Sequence, residues 1–295
     1  MPSLKEVRNR ITSVNSTRQI TSAMKMVAAA KMKKAQDAIV QMRPFAEKLS
    51  EVMANVSLGI DAAEGMYSPR KQDQNILIVP ITSNRGLCGG FNAQIFKAMV
   101  RELEKPEYQG KDISIFSIGK KGMELSKRVK MKFVNTDSLP ENANHLFDSL
   151  AYDNADKVAQ ALMEAYTDGT FDRIVLIYNS FKNAATQIIK VEQFLPIEPA
   201  QTEGEDDASV EYIFEPSKEE ILEALIPKSL KTQLFKALLD SNAAEQGARM
   251  TAMHQATDNA TALLKELKLS YNKARQAAIT KEILEIVSGA EALNE

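Results

Sequence analysis

The stretch Ser3-Leu-Lys-Glu-Val-Arg-Asn-Arg-Ile-Thr-Ser-Val14 opens the segment that decides the fold of this chain. Ser3 and Glu6 have the spacing of a capping box, in which the serine hydroxyl accepts a hydrogen bond from a free backbone N–H and the glutamate reaches back to another. Between residues 3 and 58 there is no glycine and only one proline, Pro44. The sequence therefore predicts one long N-terminal helix that starts at the capping box.

The apolar residues of this segment predict a partner helix. They recur at alternating spacings of three and four, first at Leu4, Val7, Ile11 and Val14, and then at Ala35, Ile39, Met42, Ala46, Leu49, Met53 and Val56. This is the rhythm of a two-helix coiled coil. Some 55 residues would form a rod of roughly 80 Å. We expect Pro44 to kink it, because proline removes a helical hydrogen bond and clashes with the preceding turn.

The C-terminal end mirrors the N-terminal end. Ser217 and Glu220 form a second capping-box pattern, Pro227 is expected to interrupt the helix, and no proline occurs from Lys228 to Val287. Small residues recur at every fourth position, at Ala244, Ala248, Ala252, Ala256 and Ala260, and would let another helix approach closely. Ser288-Gly289 is the expected terminator. Two long helices at opposite ends of the chain predict an antiparallel pair.

The middle of the chain has a different pattern. Short β-branched runs predict strands at Ile76–Ile81, Ile113–Ile118 and Ile174–Tyr178, with a further strand at Thr186–Phe194. Helical patterns separate them at Ala93–Leu103, Gly122–Val129 and Leu150–Tyr166. Alternating strands and helices indicate an α/β domain with a mostly parallel sheet. The predicted fold class is α/β, with a long antiparallel coiled coil of the terminal helices and a central Rossmann-like domain.

Composition excludes several classes of protein. The chain has 295 residues, of which 44% are hydrophobic and 26% charged, as in ordinary globular proteins. Its single cysteine, Cys88, cannot form an intramolecular disulfide or a cysteine-based zinc site. The longest apolar runs are far shorter than the roughly 20 residues of a membrane-spanning helix. These features predict a folded chain in a reducing compartment.

Charge is unevenly distributed along the chain. Residues 1–60 carry ten Lys/Arg and four Asp/Glu, whereas residues 196–226 carry one Lys and ten Asp/Glu. The separation predicts at least two charged faces or partners. Nucleic acid is not the favoured partner, since the chain has no tryptophan and a pI near 5.9.

The residues carry no recognisable catalytic set. The loop Ser83–Asn92 lies between a predicted strand and helix, but it has neither a P-loop ending nor a GxGxxG pattern, so we interpret it as a tight turn whose helix is capped by Asn92. Cys88 is interpreted as a packing residue. His145 and His254 lie in separate segments without a metal-binding motif, so we predict no metal and no cofactor. By its own residues the chain is predicted not to be an enzyme.

Both ends of the chain resemble one family. Residues 11–32, Ile11-Thr-Ser-Val-Asn-Ser-Thr-Arg-Gln-Ile-Thr-Ser-Ala-Met-Lys-Met-Val-Ala-Ala-Ala-Lys-Met32, resemble the N-terminal helix of the gamma subunits of F-type ATP synthases, of the bacterial type. The segment Ala274–Ala292 is similar to their C-terminal signature, with matches at Ile279, Thr280, Glu282, Glu285, Gly289 and Ala290. The loop Asn84–Asn92 also fits, except that Asn84 replaces the acidic residue usual before Arg85.

The resemblance implies a central-stalk rotor. Its coiled-coil shaft would turn inside the ring of alpha and beta subunits and couple ion flow to ATP synthesis or hydrolysis on the beta subunits, as a non-catalytic subunit. Other implied partners are the epsilon subunit and the c-subunit ring, which alone would connect it to the membrane. The implied contacts with beta are Met24, Lys25, Arg249, Arg275, Gln276, Thr280 and Glu282. Tyr212 and Glu215 resemble the foot that meets the c ring and epsilon.

The resemblance also implies domains and a location. We expect an N-terminal shaft helix at 1–60, an α/β domain at 70–195, an acidic loop and foot at 196–216 and a C-terminal shaft helix at 217–295. Because the resemblance begins at about Leu4, we expect no cleaved presequence and a place on the cytoplasmic face of a bacterial inner membrane. Two other hypotheses stay open on the residues alone: a nucleotide-binding enzyme using Gly86–Gly90, and a coiled-coil adaptor unrelated to ATP.

Overall fold

The computed structural model describes residues 3–57, 66–70, 73–128, 130–134, 139, 143–147, 149–197 and 218–292. Two very long helices lie at the ends of the chain, α1 at Leu4–Ser57 and α5 at Lys218–Ala292. The chain separates into two compact units. We call Met1–Ala28 with Arg249–Glu295 the paired-helix unit, and Ala29–Ala248 the sheet unit.

Helix α1 starts as the sequence predicts. The backbone N–H of Glu6 donates to Ser3 Oγ at 3.2 Å, which is the serine half of the capping box. The helix continues through Pro44 as a single element. The long N-terminal helix is thus confirmed over the described residues.

The sheet unit holds four strands in the order β2-β1-β3-β4. The strands are β1 at Asn75–Pro80, β2 at Asp112–Ile115, β3 at Arg173–Phe181 and β4 at Gln187–Leu195. Strand β1 pairs in parallel with both β2 and β3, whereas β4 runs antiparallel along β3. The helices between them are α2 at Phe91–Leu103, α3 at Lys120–Arg128 and α4 at Tyr152–Thr167. This is the predicted, mostly parallel sheet.

Both faces of the sheet are covered by helices, because alternate residues of β1 point to opposite sides. Leu77 and Val79 belong to a buried cluster with Leu162 of α4 and Leu234 of α5. Ile76 and Ile78 belong to a second buried cluster, built with residues of α2 that include Phe91, Ile95 and Met99. Strands buried on both faces explain the continuous apolar runs in the sequence.

The C-terminal half of α1 packs on α5 within the sheet unit. Ala35 and Ile39 form a small buried cluster with Leu239 and Ala243. These two α1 residues belong to the predicted heptad pattern, so the structure confirms that the pattern marks a helix–helix seam.

Three predicted boundaries are wrong. Helix α5 is not interrupted at Pro227 and does not end at Ser288-Gly289, since it runs unbroken to Ala292. Burial of Leu230 and Leu234 against the sheet outweighs the local penalty of one proline. Strand β2 ends at Ile115, and Ile118 forms only an isolated bridge with Ile81. The second capping box includes Ser217, which lies outside the described residues.

No helix among the described residues is long and apolar enough to cross a membrane.

Candidate functional site

The seven predicted contact residues of the long helices all belong to the paired-helix unit. Two are on α1 and five on α5: Met24, Lys25, Arg249, Arg275, Gln276, Thr280 and Glu282. Tyr212 and Glu215, predicted for the foot, lie outside the described residues.

Two side-chain contacts set the antiparallel pairing of this unit. Thr21 Oγ1 lies 2.8 Å from Thr257 Oγ1, and Arg8 Nη2 donates to Tyr271 Oη at 3.1 Å. The Arg8 guanidinium also lies 5.9 Å from the centre of the Tyr271 ring. A step of 13 residues toward the C-terminus of α1 therefore corresponds to a step of 14 residues toward the N-terminus of α5. This register sets Leu4 opposite the turn of α5 that contains Ala274.

Each helix presents a heptad seam to the other. On α1, Val7, Thr21 and Ala28 are buried at seven- or fourteen-residue spacing. On α5 the buried or half-buried residues follow alternating spacings of four and three: Met253, Thr257, Ala260, Leu264, Leu267, Tyr271, Ala274 and Ala278. The predicted stripe of alanines at every fourth position includes Ala260, but its constant spacing of four does not predict this seam, which alternates between four and three. The spacing of Leu264, Leu267, Tyr271, Ala274 and Ala278 is the sequence signal that could have found it.

The structure does not bring the seven predicted residues together. Arg249 lies at the lower end of the unit, as do Met24 and Lys25 when the register is counted from Thr21 and Thr257. Arg275 is 26 residues further along α5 than Arg249, which corresponds to about 39 Å of helix. The candidate contacts therefore form two groups. The lower group is Met24, Lys25 and Arg249, and the upper group is Arg275, Gln276, Thr280 and Glu282.

The upper group is exposed. Arg275, Gln276, Thr280 and Glu282 are all open on the surface of α5, and Thr280 Oγ1 donates to the Gln276 carbonyl at 3.0 Å. The helix reaches Ala292, so about 25 Å of it runs past the first residue of α1. These polar side chains are thus accessible to another molecule.

Large apolar side chains surround the upper group. Ile283 is 55% exposed, Leu284 is 60% exposed and Ile286 is 71% exposed, with Ile279 and Val287 close to half exposed. Large exposed apolar patches are typical of interaction sites, and these five residues lie within nine positions of one helix. The predicted site residues included none of these five, although their clustering within the signature segment is visible in the sequence.

The lower group is partly covered. Met24 and Lys25 are half-buried, and Arg249 is only 9% exposed. Arg249 therefore differs from Arg275, whose guanidinium is on the surface. Exposed apolar residues also occur on this part of α1, at Ile20, Met26 and Val27, and the prediction did not name them as contacts.

The loop before α2 is held by hydrogen bonds and not by a capped helix end. Asn92 Oδ1 accepts from the Ser83 backbone N–H at 3.0 Å, and Gly90, with no side-chain hydrogen bond, is the residue that precedes α2. The prediction that Asn92 caps this helix is wrong, because its side chain is engaged with Ser83. Cys88 is 1% exposed and packs in the cluster of Phe91 and Ile95, as predicted.

The carboxyl edge of the parallel strands, where α/β proteins commonly bind ligands, is in close contact with other parts of the chain at two points. Ser241 of α5 lies over this edge, with its Oγ donating to the Ile81 carbonyl at 3.5 Å. Ser241 is buried, as are Glu245 and Gln246 further along α5. On the other side, a Cβ at Gly119 would lie 2.1 Å from the Thr82 carbonyl oxygen. The chain therefore packs closely on itself at these two points of the edge.

The two histidines are surface residues. His145 and His254 are exposed, and His254 Nδ1 lies 3.4 Å from Asp258 Oδ2 within one helix face. Among the described residues, no group of three or more His, Cys, Asp or Glu side chains is arranged to hold a metal ion.

Comparison with known proteins identifies the family. The family model described as ATP synthase matches residues 3–293. The ATP synthase gamma chain of Flavobacterium psychrophilum is 56% identical over 294 residues, covering 99% of each chain. The gamma chain of Flavobacterium johnsoniae is 56% identical over 295 residues, covering 100% of each chain.

Solved structures share the fold. The rotor of the Euglena gracilis mitochondrial ATP synthase matches with a TM-score of 0.66 at 21% identity, covering 94% of this chain and 98% of that chain. A chain of the central stalk and c ring of the Tetrahymena thermophila mitochondrial ATP synthase matches with a TM-score of 0.54 at 28% identity, covering 80% and 99%. Long terminal helices around a central sheet thus recur in ATP synthase rotors. This chain belongs to the gamma-chain family of ATP synthases and is a central-stalk rotor subunit.

Proposed function

We propose that this chain carries rotation between the membrane sector and the catalytic head without performing chemistry itself. The observation that carries the proposal is the paired-helix unit, in which α1 and α5 run antiparallel and α5 continues alone with exposed apolar residues. A pair of helices has no threefold symmetry. Each angular position of such a shaft would therefore present different side chains to each of three beta subunits.

The close packing at the carboxyl edge of the sheet supports a non-catalytic role. A nucleotide-binding enzyme of this fold class would keep that edge open, whereas here Ser241 and Gly119 belong to tight packing against Ile81 and Thr82. ATP would then be made or hydrolysed on the beta subunits, driven by proton flow through the c ring.

The upper group is proposed as the main contact with the beta subunits. The planar guanidinium of Arg275 suits bidentate binding of a carboxylate, and Gln276, Thr280 and Glu282 offer hydrogen bonds on the same exposed stretch. The neighbouring apolar residues would add contact area. Met24 and Lys25 are proposed as a second contact, lower on the shaft.

Arg249 is proposed to contribute mainly by holding the lower part of the shaft in shape. Its low exposure leaves little guanidinium surface for a partner. Tyr212 and Glu215 are proposed to meet the c ring and epsilon, with residues 196–216 as the foot, 70–195 as the α/β domain, and 1–60 and 217–295 as the shaft.

The proposed partners are the alpha, beta and epsilon subunits and the c ring, with no nucleic acid. Membrane association would be peripheral, through the c ring, on the cytoplasmic face of a bacterial inner membrane. An affinity tag in the α/β domain, gentle extraction from membranes and native mass spectrometry test this assembly. One copy with three alpha and three beta subunits is expected, and a free monomer or an unrelated partner would contradict the proposal.

Substitution of Arg275 tests the upper contact. We expect Arg275→Ala to lower ATP synthesis in membrane vesicles severalfold while the amount of assembled complex stays unchanged. Lys268→Ala is the matched control, since Lys268 is an exposed cation on the same helix seven residues away. Equal synthesis rates in the two variants would remove Arg275 from the contact. Arg249→Ala is expected to lower assembly as well, because its side chain is mostly covered.

A further inference from the structure

The seam between α1 and α5 becomes more polar and has smaller side chains close to the lower group. Steps of seven residues from Val7 and Ile11 give the α1 positions of the seam. Close to the lower group these positions are Arg18, Thr21, Lys25 and Ala28. The α5 residues of the same level include Met253, Thr257 and Ala260. Large aliphatic residues, which hold most coiled coils together, are thus sparse here.

A hydrogen bond joins the two helices at this level. Thr21, which is 8% exposed, places its Oγ1 2.8 Å from Thr257 Oγ1. Thr257 Oγ1 also lies 2.7 Å from the Met253 carbonyl and donates its hydrogen there, which leaves its oxygen free to accept from Thr21. Both residues are β-branched and therefore stiff about χ1, so the bond joins two side chains of little freedom.

We infer that Thr21 and Thr257 are positioning residues, which tie α1 to α5 so that Met24 and Lys25 keep their place when the shaft carries load. Met24 and Lys25 follow Thr21 by three and four residues and thus lie about one turn further along α1. A lateral tie at Thr21 fixes both the rotation of α1 about its axis and its position along α5. The inference depends on the proposed function only for the energy-coupling measurement described below.

Valine substitutions remove the tie cleanly. Valine has nearly the shape of threonine but no hydroxyl. In Thr257→Val, the Thr21 hydroxyl can still donate to the Arg18 carbonyl, which lies 3.1 Å away, and in Thr21→Val the Thr257 hydroxyl keeps its bond to Met253. Neither variant buries an unpaired hydroxyl, so we expect both to fold and assemble.

The test uses the assembled complex carrying Thr21→Val, Thr257→Val or both. Hydrogen exchange of the amides of residues 18–28 is expected to rise about fivefold in each variant, the factor expected from one ordinary hydrogen bond. Because either substitution breaks the same bond, the double variant should exchange no faster than the single ones. In vesicles, the valine variants should lower the ratio of protons pumped to ATP hydrolysed. Thr21→Ser and Thr257→Ser keep the hydroxyl, so both should exchange and couple at the wild-type level.

Three outcomes would overturn the inference: exchange at the wild-type rate, effects that add in the double variant, or a coupling ratio that stays at the wild-type value. Each of these leaves the proposed rotor function untouched. Failure of the wild-type chain to assemble with alpha and beta subunits would instead contradict the proposed function, and the exchange measurement on the chain alone would still decide whether the two threonines form a tie.

Discussion

At the scale of single residues, Gly119 shows how closely α3 is packed against the end of β1. Its φ is +103°, and a Cβ there would lie 2.1 Å from the Thr82 carbonyl oxygen. We expect Gly119→Ala to lower the free energy of unfolding by about 3 kcal/mol or more, measured by urea denaturation. Gly86→Ala is the control, since a Cβ at Gly86 meets no atom within 4 Å, and its effect should stay within about 0.5 kcal/mol. Similar losses in both variants would contradict the close packing.

Tyr178 predicts how stability depends on alkaline pH. Burial raises the pKa of its phenol above the ordinary value of 10.0, and the carboxylates of Glu192 and Asp240 raise it further. The unfolded chain loses this proton near pH 10 while the folded chain keeps it, so the free energy of unfolding falls as the pH rises above about 10.

Tyr178→Phe tests this dependence. The Oη atom is buried without a hydrogen bond of good geometry among the described residues, so the substitution should cost little at neutral pH. Unfolding midpoints measured from pH 8 to 11 should decline less steeply in the variant. Tyr152→Phe, at a ring that is 41% exposed, is the control. A decline as steep as that of the wild-type chain would contradict the assignment.

At the scale of elements, the long helix and the strands could be predicted, whereas helix ends that depend on hydrogen bonds to distant residues could not. The long N-terminal helix follows from a lack of glycine, and the strands follow from β-branched runs, because both depend on local sequence. The start of α3 at Lys120 could not be predicted, since its N–H donates to Asn84 Oδ1, 36 residues away. The same holds for Asn92, whose bond with Ser83 competes with helix capping. The polar residues of the candidate site were predicted from the family resemblance alone. The burial of Arg249 could be seen only in the folded structure.

Pro44 gives an element-scale prediction. It lacks an N–H to donate within α1, and the helix nevertheless continues on both sides of it. Pro44→Ala is expected to raise the free energy of unfolding by about 1–3 kcal/mol and to slow hydrogen exchange of the neighbouring amides. Ala30→Ser, at an exposed position of the same helix, controls for a general change in helix propensity. Unchanged exchange around residue 44 would show that the proline costs the helix nothing.

At the scale of the whole molecule, the exposed end of α5 predicts how the isolated chain behaves. Leu284 and Ile286 are 60% and 71% exposed. We expect the chain without its partners to self-associate as its concentration rises, and Leu284→Lys with Ile286→Lys to shift the average mass measured by light scattering toward the monomer. Circular dichroism should stay unchanged. Leu264→Lys is the contrasting variant, because Leu264 is only 7% exposed and its substitution should unfold the helix pair.

The Thr21–Thr257 contact joins residues 236 positions apart in the sequence, and this separation has a consequence for synthesis. At a translation rate of about 5–20 residues per second, the ribosome needs roughly 12–47 s to supply the second threonine after the first. During that time the seam of α1, with Val7 and Ala28, waits without its helix partner, while the sheet residues emerge and can fold. Nascent chains stalled before residue 250 should therefore expose this seam to chaperones, and release of the last 45 residues completes the pair.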